Sequence, residues 1–186
     1  NECMNGFEYQ VAGHMVAEGE PGSELVQRGL AITKAVHERY GAAKRNPYNE
    51  IECSDHYGRS MASYGIYLAA CGYEYHGPKG SLSFAPKLSP EDFRSAFTAA
   101  EGWGTFAQKR AAGMQTSSLQ LNYGQLCLKQ LGFVLASGRK ATSVPVSLDG
   151  SVIPVDYRMA GDRVVIDLAD ATTIQTGQLL EVHIQV

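Results

Sequence analysis

The chain has no Cys-x-x-Cys pair. Cys3, Cys53, Cys71 and Cys127 are scattered, which argues against a structural zinc site or thioredoxin-like chemistry, while their number permits disulfides without requiring them. It has no Lys/Arg-rich run and a net charge of −3, so no electrostatic footprint for nucleic acid is present and no nucleic-acid partner is expected. It has no uncharged run of membrane-spanning length, the longest helical one being Met61 to Tyr73, so no transmembrane segment is expected. No glycine-rich phosphate loop follows a strand, which removes the usual support for nucleotide binding, and no cofactor is expected. It has a single tryptophan. It also has no initiator Met and no signal peptide ahead of a helix-like run over residues 1–20, the expectation being the C-terminal piece of a longer polypeptide. Nothing in it fixes a cellular compartment.

What is present is an ordinary globular composition, 44% hydrophobic and 19% charged, over 186 residues. That length supports one good core or two small ones. Met4, Phe7, Val11 and Met15 predict a first amphipathic helix ending near Glu18-Gly19. Glu20-Pro21-Gly22 breaks it, Ser23 is a plausible N-cap, and Leu25, Ile32, Val36 and Tyr40 predict a second helix closed by Gly41. The pair reads as an αα-hairpin. A third helix is predicted from Met61 to about Gly72, with one stripe at Tyr57, Met61, Tyr64 and Leu68 and another at Ala62, Ile66, Ala69 and Ala70. A helix apolar all round is expected to be buried. After Gly72 the period shortens to two. Tyr73, Tyr75, Leu82 and Phe84 alternate around Gly77-Pro78-Lys79-Gly80, and Phe93–Ala99 and Thr105–Ala111 flank another turn. The segment Ser89-Pro90-Glu91-Asp92 reads as a helical cap or a loop. Further alternating runs lie around residues 119–128, 144–148, 153–157, 164–168 and 182–186, with Asp149-Gly150 as a hairpin signal and Ala160-Gly161-Asp162 as another turn. The expected fold is α+β: helices over residues 1–72, a β-hairpin connection over 73–113, and an antiparallel, β-sandwich-like domain over 114–186.

The chemistry concentrates ahead of the third helix, in Asn46-Pro47-Tyr48-Asn49-Glu50-Ile51-Glu52-Cys53-Ser54-Asp55-His56-Tyr57-Gly58-Arg59. Here Glu50, Glu52, Asp55, His56 and Arg59 precede a helix with no charge of its own, whose N-terminus Ser54 is placed to cap. Polar groups at the mouth of an apolar helix fit a pocket for a polar ligand. They fit equally a solvated loop, in which Asp55 and Arg59 form a local ion pair worth about 0.2–0.5 kcal/mol. Glu50 and Glu52, two apart on an extended segment, would lie about 6.5–7 Å apart at Cα on one side. Glycosidase carboxylate pairs span roughly 5–5.5 Å or 6.5–9.5 Å, although any Glu-x-Glu offers the same. Trp103 lies in a Gly-flanked turn, where it either packs as a hairpin aromatic or stacks on a sugar. His14, His37 and His183 fall on separate elements without ligand spacing, and a metal site from Glu50, Glu52, Asp55 and His56 would need convergence that spacing alone does not give.

The run NPYNEIECSDHYGRSMASYG, with FEYQVAGHMVAEG before it and PEDFRSAFTAAEGWGTFAQ after it, resembles the C-terminal end of glycoside hydrolase family 116. That family contains β-glucosidases, including non-lysosomal glucosylceramidases. The resemblance covers about Glu2 to Gln108. It implies that the helices are the last of an (α/α)6 barrel. Glu2, Gly6, Tyr9, Glu18 and Gly19 match a family helix, with Cys3 and Met4 in place of its Val-Trp pair. A family Glu and Arg nine residues apart, followed by Ser-Leu-Ala, bind the glucosyl unit. Glu50 and Arg59 have that separation, and Ser60-Met61-Ala62 comes next. The resemblance therefore implies a β-glycoside substrate held by Glu50 and Arg59. From Ser63-Tyr64-Gly65 onward the glucosylceramidase-like Tyr-Met-Arg-Pro segment is absent, and the tail from Met114 lies outside the shared pattern. The family's nucleophile (a Glu) and acid/base (an Asp) lie upstream of the equivalent of Glu2, so the resemblance implies no catalytic residue in this chain. The upstream part of the same polypeptide is then a required partner, and this fragment alone is expected to be inactive.

Two other readings stay open at this point. One is a non-catalytic carbohydrate-binding or structural module, suggested by the exposed turns of the β tail. The other is part of an (α/α)6 glycoside phosphorylase.

Overall fold

A computed structural model describes residues 4–41, 43 and 60–186. By its contacts the chain divides into two compact units, Asn1–Gly72 and Tyr73–Val186.

In the helical unit, α1 (Asn5–Glu18) and α2 (Glu24–Arg39) form the expected hairpin. Ser23 caps α2, its Oγ accepting from the backbone N–H of Val26 at 3.4 Å. Glu8 of α1 and Arg39 of α2 pair through two hydrogen bonds, one of them 3.1 Å long. A 3-10 turn (Ser60–Ala62) leads into α3 (Ser63–Cys71), which closes at Gly72. The small core joins Tyr9 and Ala12 of α1, Val36 of α2 and Ile66 of α3, with Ile32, Tyr40 and Ala62 against its rim.

Two expectations about the helices are corrected. On α1 the buried stripe is Asn5, Tyr9, Ala12 and Val16, whereas Met4, Phe7 and Val11 are about half exposed. Apart from Asn5, which donates from Nδ2 to the Tyr40 hydroxyl, both stripes are apolar, and α2 and α3 cover the one with the smaller side chains, which permits closer approach. Nor is α3 buried all round among the described residues. Ile66, Ala70 and Cys71 face inward, while Met61 is 87% exposed and Tyr64 and Tyr67 are also open. No described helix is long and apolar enough to cross a membrane.

In the β unit, β1 (Glu74–His76), β2 (Ser81–Phe84), β3 (Asp92–Thr98), β4 (Gly102–Ala111), β5 (Met114–Val134), β6 (Val146–Leu148), β7 (Ser151–Ile153), β8 (Val155–Ala160), β9 (Arg163–Gln175) and β10 (Leu179–Gln185) build two sheets that share β5. Its first half pairs with β4 and β10, and the sheet continues to β3 on one side and to β6 and β7 on the other. Its second half pairs with β2 and β9, flanked by β1 and β8. The sheets meet through stacked rings, Phe84 of β2 on Phe106 of β4, with Phe97 edge-on to Phe84 and Phe133 beside Phe106. This is sandwich packing. Residues 73–113, which the sequence reads as a hairpin connection, hold four strands of these same sheets.

The all-antiparallel expectation is corrected at one place, where β2 runs parallel to β5. The chain passes from one sheet to the other between Phe84 and Asp92, so no hairpin joins these two strands and none dictates their sense. Ser89 to Glu91 is loop, and the Asp149-Gly150 turn has positive φ at both residues (47° and 78°), as a type I′ turn requires. The six-hairpin barrel implied by the resemblance is not formed by the described helices, which comprise α1, α2 and α3.

Candidate functional site

Glu50, Glu52, Asp55, His56 and Arg59, the sequence's first choices for binding, lie outside the described residues, as do Glu2 and Ser54. The nearest described neighbours in the chain begin at Ser60, directly after Arg59. Met61, from the run matched to the sugar-binding motif, stands at the start of α3 beside a groove between α1 and α3. The groove encloses about 740 Å³. Gly6, Phe7, Gly13, Ala62, Gly65 and Ala69 give it largely apolar walls, and Gln10 and His14 add polar groups. Glycines and alanines on the facing helices leave this opening between the longer side chains of Phe7, Gln10, His14 and Met61. Chemically the groove suits apolar matter rather than an ion.

Trp103 is placed by the structure. It is the second residue of β4 rather than part of a turn, and it is 47% exposed rather than packed away. Directly opposite it on β5 is Tyr123, 65% exposed. Residues facing one another across an antiparallel pair project on the same side of the sheet, so the two largest exposed rings of this sheet stand side by side. A bulge between Trp103 and Gly104 sets this local twist. Two glycines hold it. A Cβ on Gly124, whose φ is +76°, would lie 2.0 Å from the carbonyl oxygen of Glu101, and a Cβ on Gly104 would lie 2.3 Å from that of Gln120. Asn122, the extra residue at the bulge, donates from Nδ2 to Thr105 Oγ1 at 3.2 Å. Gln125 Nε2 donates to Glu101 Oε2 at 2.9 Å. Sequence reasoning found Trp103 and missed Tyr123. The Tyr-Gly step at 123–124 was the available signal, but the pairing depends on a register shifted by the bulge.

A second polar cluster was also missed. Arg163 of β9 makes a two-pronged contact with Glu74 of β1, Nη1 to Oε2 at 2.9 Å and Nη2 to Oε1 at 3.0 Å, and also donates to Ser83 Oγ at 3.1 Å. The hydrogen bond from Arg163 holds the Glu74 carboxyl below its ordinary value, against the opposing effect of partial burial, and the charge of Arg163 and the Ser83 hydroxyl act in the same direction. The Arg163 guanidinium is correspondingly raised. These residues line a depression of about 320 Å³ over β1, β2, β5 and β9. Its charges satisfy each other, which makes it an ion-pair clasp between β1 and β9. Among the described residues no group of three or more His, Cys, Asp or Glu side chains is placed to hold a metal ion.

Neither a protein-family profile nor a curated protein sequence matches the chain. Solved structures similar to it include an α-L-rhamnosidase from Dictyoglumus thermophilum, at 8% identity over 68% of this chain, with a TM-score of 0.36. They also include a GH127 β-L-arabinofuranosidase from Geobacillus stearothermophilus T6, at 13% identity over 79% of this chain, with a TM-score of 0.39. These structural neighbours are glycoside hydrolases. The chain spans 14% and 22% of their lengths.

Proposed function

We propose that this chain is the C-terminal part of a retaining β-glycosidase of the β-glucosidase type, in which α1, α2 and α3 complete an (α/α)6 barrel and the segment ahead of α3 grips the sugar. The observation that carries this reading is the solvent exposure of large apolar side chains on the helical unit, Met4, Val11 and Met61 at 46%, 51% and 87%. Large apolar side chains exposed in this way are consistent with a surface that another part of the polypeptide covers. In this reading its cover is the upstream helices of the same polypeptide. The Glu50–Arg59 separation and the Ser60-Met61-Ala62 run support the sugar-binding role through the family resemblance.

Mechanistically, Glu50 would accept hydrogen bonds from pyranose hydroxyls and Arg59 would donate to them, each bond to a charged group being worth about 1.5–3 kcal/mol. Such contacts hold the ring in register with reacting groups elsewhere, which lowers the barrier by orienting the substrate. The nucleophile and acid/base would come from the upstream part, where a covalent glycosyl-enzyme would form and be hydrolysed. The test is to join the chain to its upstream polypeptide and assay aryl β-glucosides with and without inorganic phosphate. Phosphate-independent release of glucose with retained configuration is expected. No turnover by a folded parent would refute the hydrolase reading, and strict phosphate dependence would assign a phosphorylase instead.

A further inference from the structure

The outer face of the sheet that contains β4 carries a second candidate binding surface, and its physical basis is independent of the helical unit. Inward positions of β4 (Gly104, Phe106, Gln108) are buried, so Trp103, Thr105 and Ala107 alternate onto the outer side. Register places Thr98 of β3 opposite Trp103, with Tyr123 opposite it on the other flank. Gln120 lies opposite Thr105, and Asn122 bonds to Thr105 on this same side. Two large rings therefore sit at the end of a strip of hydroxyl and carboxamide side chains. Adjacent strands are about 4.8 Å apart, which sets neighbouring rings at the width of one hexose.

The character of the strip selects its occupant. Aromatic faces attract the slightly positive C–H edges of an apolar surface, while hydroxyls and amides both donate and accept hydrogen bonds. A neutral saccharide offers this combination, an apolar C–H face on a ring rimmed by hydroxyls. Nucleic acid also stacks on aromatics, but it needs a basic groove beside them. Here the flanking charge is the carboxylate of Glu101, and the cations that register places on this side stand away from the rings: Arg94, opposite Ala107, is four residues along from Trp103, about 13 Å, and Lys109 is six, about 20 Å. The backbone that carries the rings is also fixed beforehand. The bulge and the close approaches at Gly104 and Gly124 settle it, so little backbone freedom is lost on binding.

We propose that this face binds neutral oligosaccharides, with Trp103 and Tyr123 as the stacking platform and Asn122, Thr105 and Gln120 as the hydrogen-bonding strip. In this proposal it is an accessory site, built from other residues than the grip assigned to Glu50 and Arg59.

Because Trp103 is the chain's single tryptophan, its fluorescence reports on this face alone. The 186-residue chain is titrated with glucose tetrasaccharides, one β-linked and one α-linked, and with an oligothymidylate, each by fluorescence and by calorimetry. A saturable shift of Trp103 emission with at least one saccharide is expected, unchanged when salt is raised. Calorimetric affinity is expected to fall about tenfold or more in Trp103→Ala and in Tyr123→Ala, and to stay within about threefold in Tyr123→Phe. Thermal melts of each variant establish folding, and Tyr123→Phe, which keeps the ring, serves if an alanine variant does not fold. Saccharide binding that survives both ring removals, a response to oligothymidylate alone, or no saturation with either sugar would overturn the proposal. Calorimetric binding that leaves Trp103 emission unchanged would place the saccharide elsewhere and likewise overturn it, whereas loss of catalysis in the parent's Glu50→Gln bears only on the function proposed above.

Discussion

Glu74 and Arg163 make the clearest residue-scale case because their charges meet in good geometry at a half-exposed site. The folded Glu74 carboxyl sits below its ordinary value of 4.5. The pair's contribution is therefore present above that value and is lost as pH falls through the lower folded value. Because Glu74 is largely solvated, Glu74→Gln should cost no more than about 1 kcal/mol at neutral pH. Urea melts of the two proteins should begin to converge as pH falls below the unfolded carboxylate range, about pH 4, and meet only once it passes the lowered folded value. The buried string behind β4 is worth more. Gln108 Nε2 donates to the Pro90 carbonyl at 2.8 Å, Gln115 Nε2 to Gln108 Oε1 at 3.1 Å, and Arg110 Nε to Gln115 Oε1 at 2.8 Å. Gln115→Ala leaves partners of this string unsatisfied and should destabilise the β unit by about 1–3 kcal/mol in the same melts. Gly124→Ala should cost a similar amount, about 1–3 kcal/mol, because a methyl group there collides with the Glu101 backbone.

For the elements, the helices and strands differ in how much their sequence disclosed. Asp149-Gly150 and Ala160-Gly161-Asp162 named their turns, and alternation located parts of β5, β6, β9 and β10, because a half-buried strand writes its burial into period two, whereas β7 and β8 read as one run and the far ends of β5 and β9 were not read. The continuous β5 did not show itself. Gly124 reads as a break between Tyr123 and Leu126, yet here it is the point where one strand passes between two sheets. The helical boundaries were also legible, whereas the buried side of α1 was not. Two apolar stripes compete on that helix, and which is covered depends on neighbours rather than on spacing. The two faces should respond differently to truncation. Ile66→Ala, in the core of the unit, should lower its stability by about 2–5 kcal/mol. Met61→Ala, on the open side, should change the 186-residue chain by less than about 0.5 kcal/mol by thermal melting. If upstream helices cover that side in the joined polypeptide, the same Met61→Ala should there become a core truncation.

At the level of the whole molecule, the two proposed sites differ in how they could be read from sequence. The Glu50–Arg59 proposal rests on residues nine apart in one segment and on a resemblance, and those residues lie outside the described ones, while the Trp103–Tyr123 pair arises from strands brought together across a bulge. The central claim concerns the first of these, that an acid and a guanidinium ahead of α3 orient a pyranose for groups supplied from elsewhere. Its most direct test is kcat/KM on an aryl β-glucoside for the joined polypeptide, compared with its Glu50→Gln and Arg59→Lys variants. With thermal stability unchanged, each substitution is expected to lower kcat/KM by about tenfold to a hundredfold, Glu50→Gln through loss of a charged acceptor and Arg59→Lys through loss of the guanidinium's fixed fork of donors. Variants that fold and turn over as fast as the unsubstituted enzyme would contradict it.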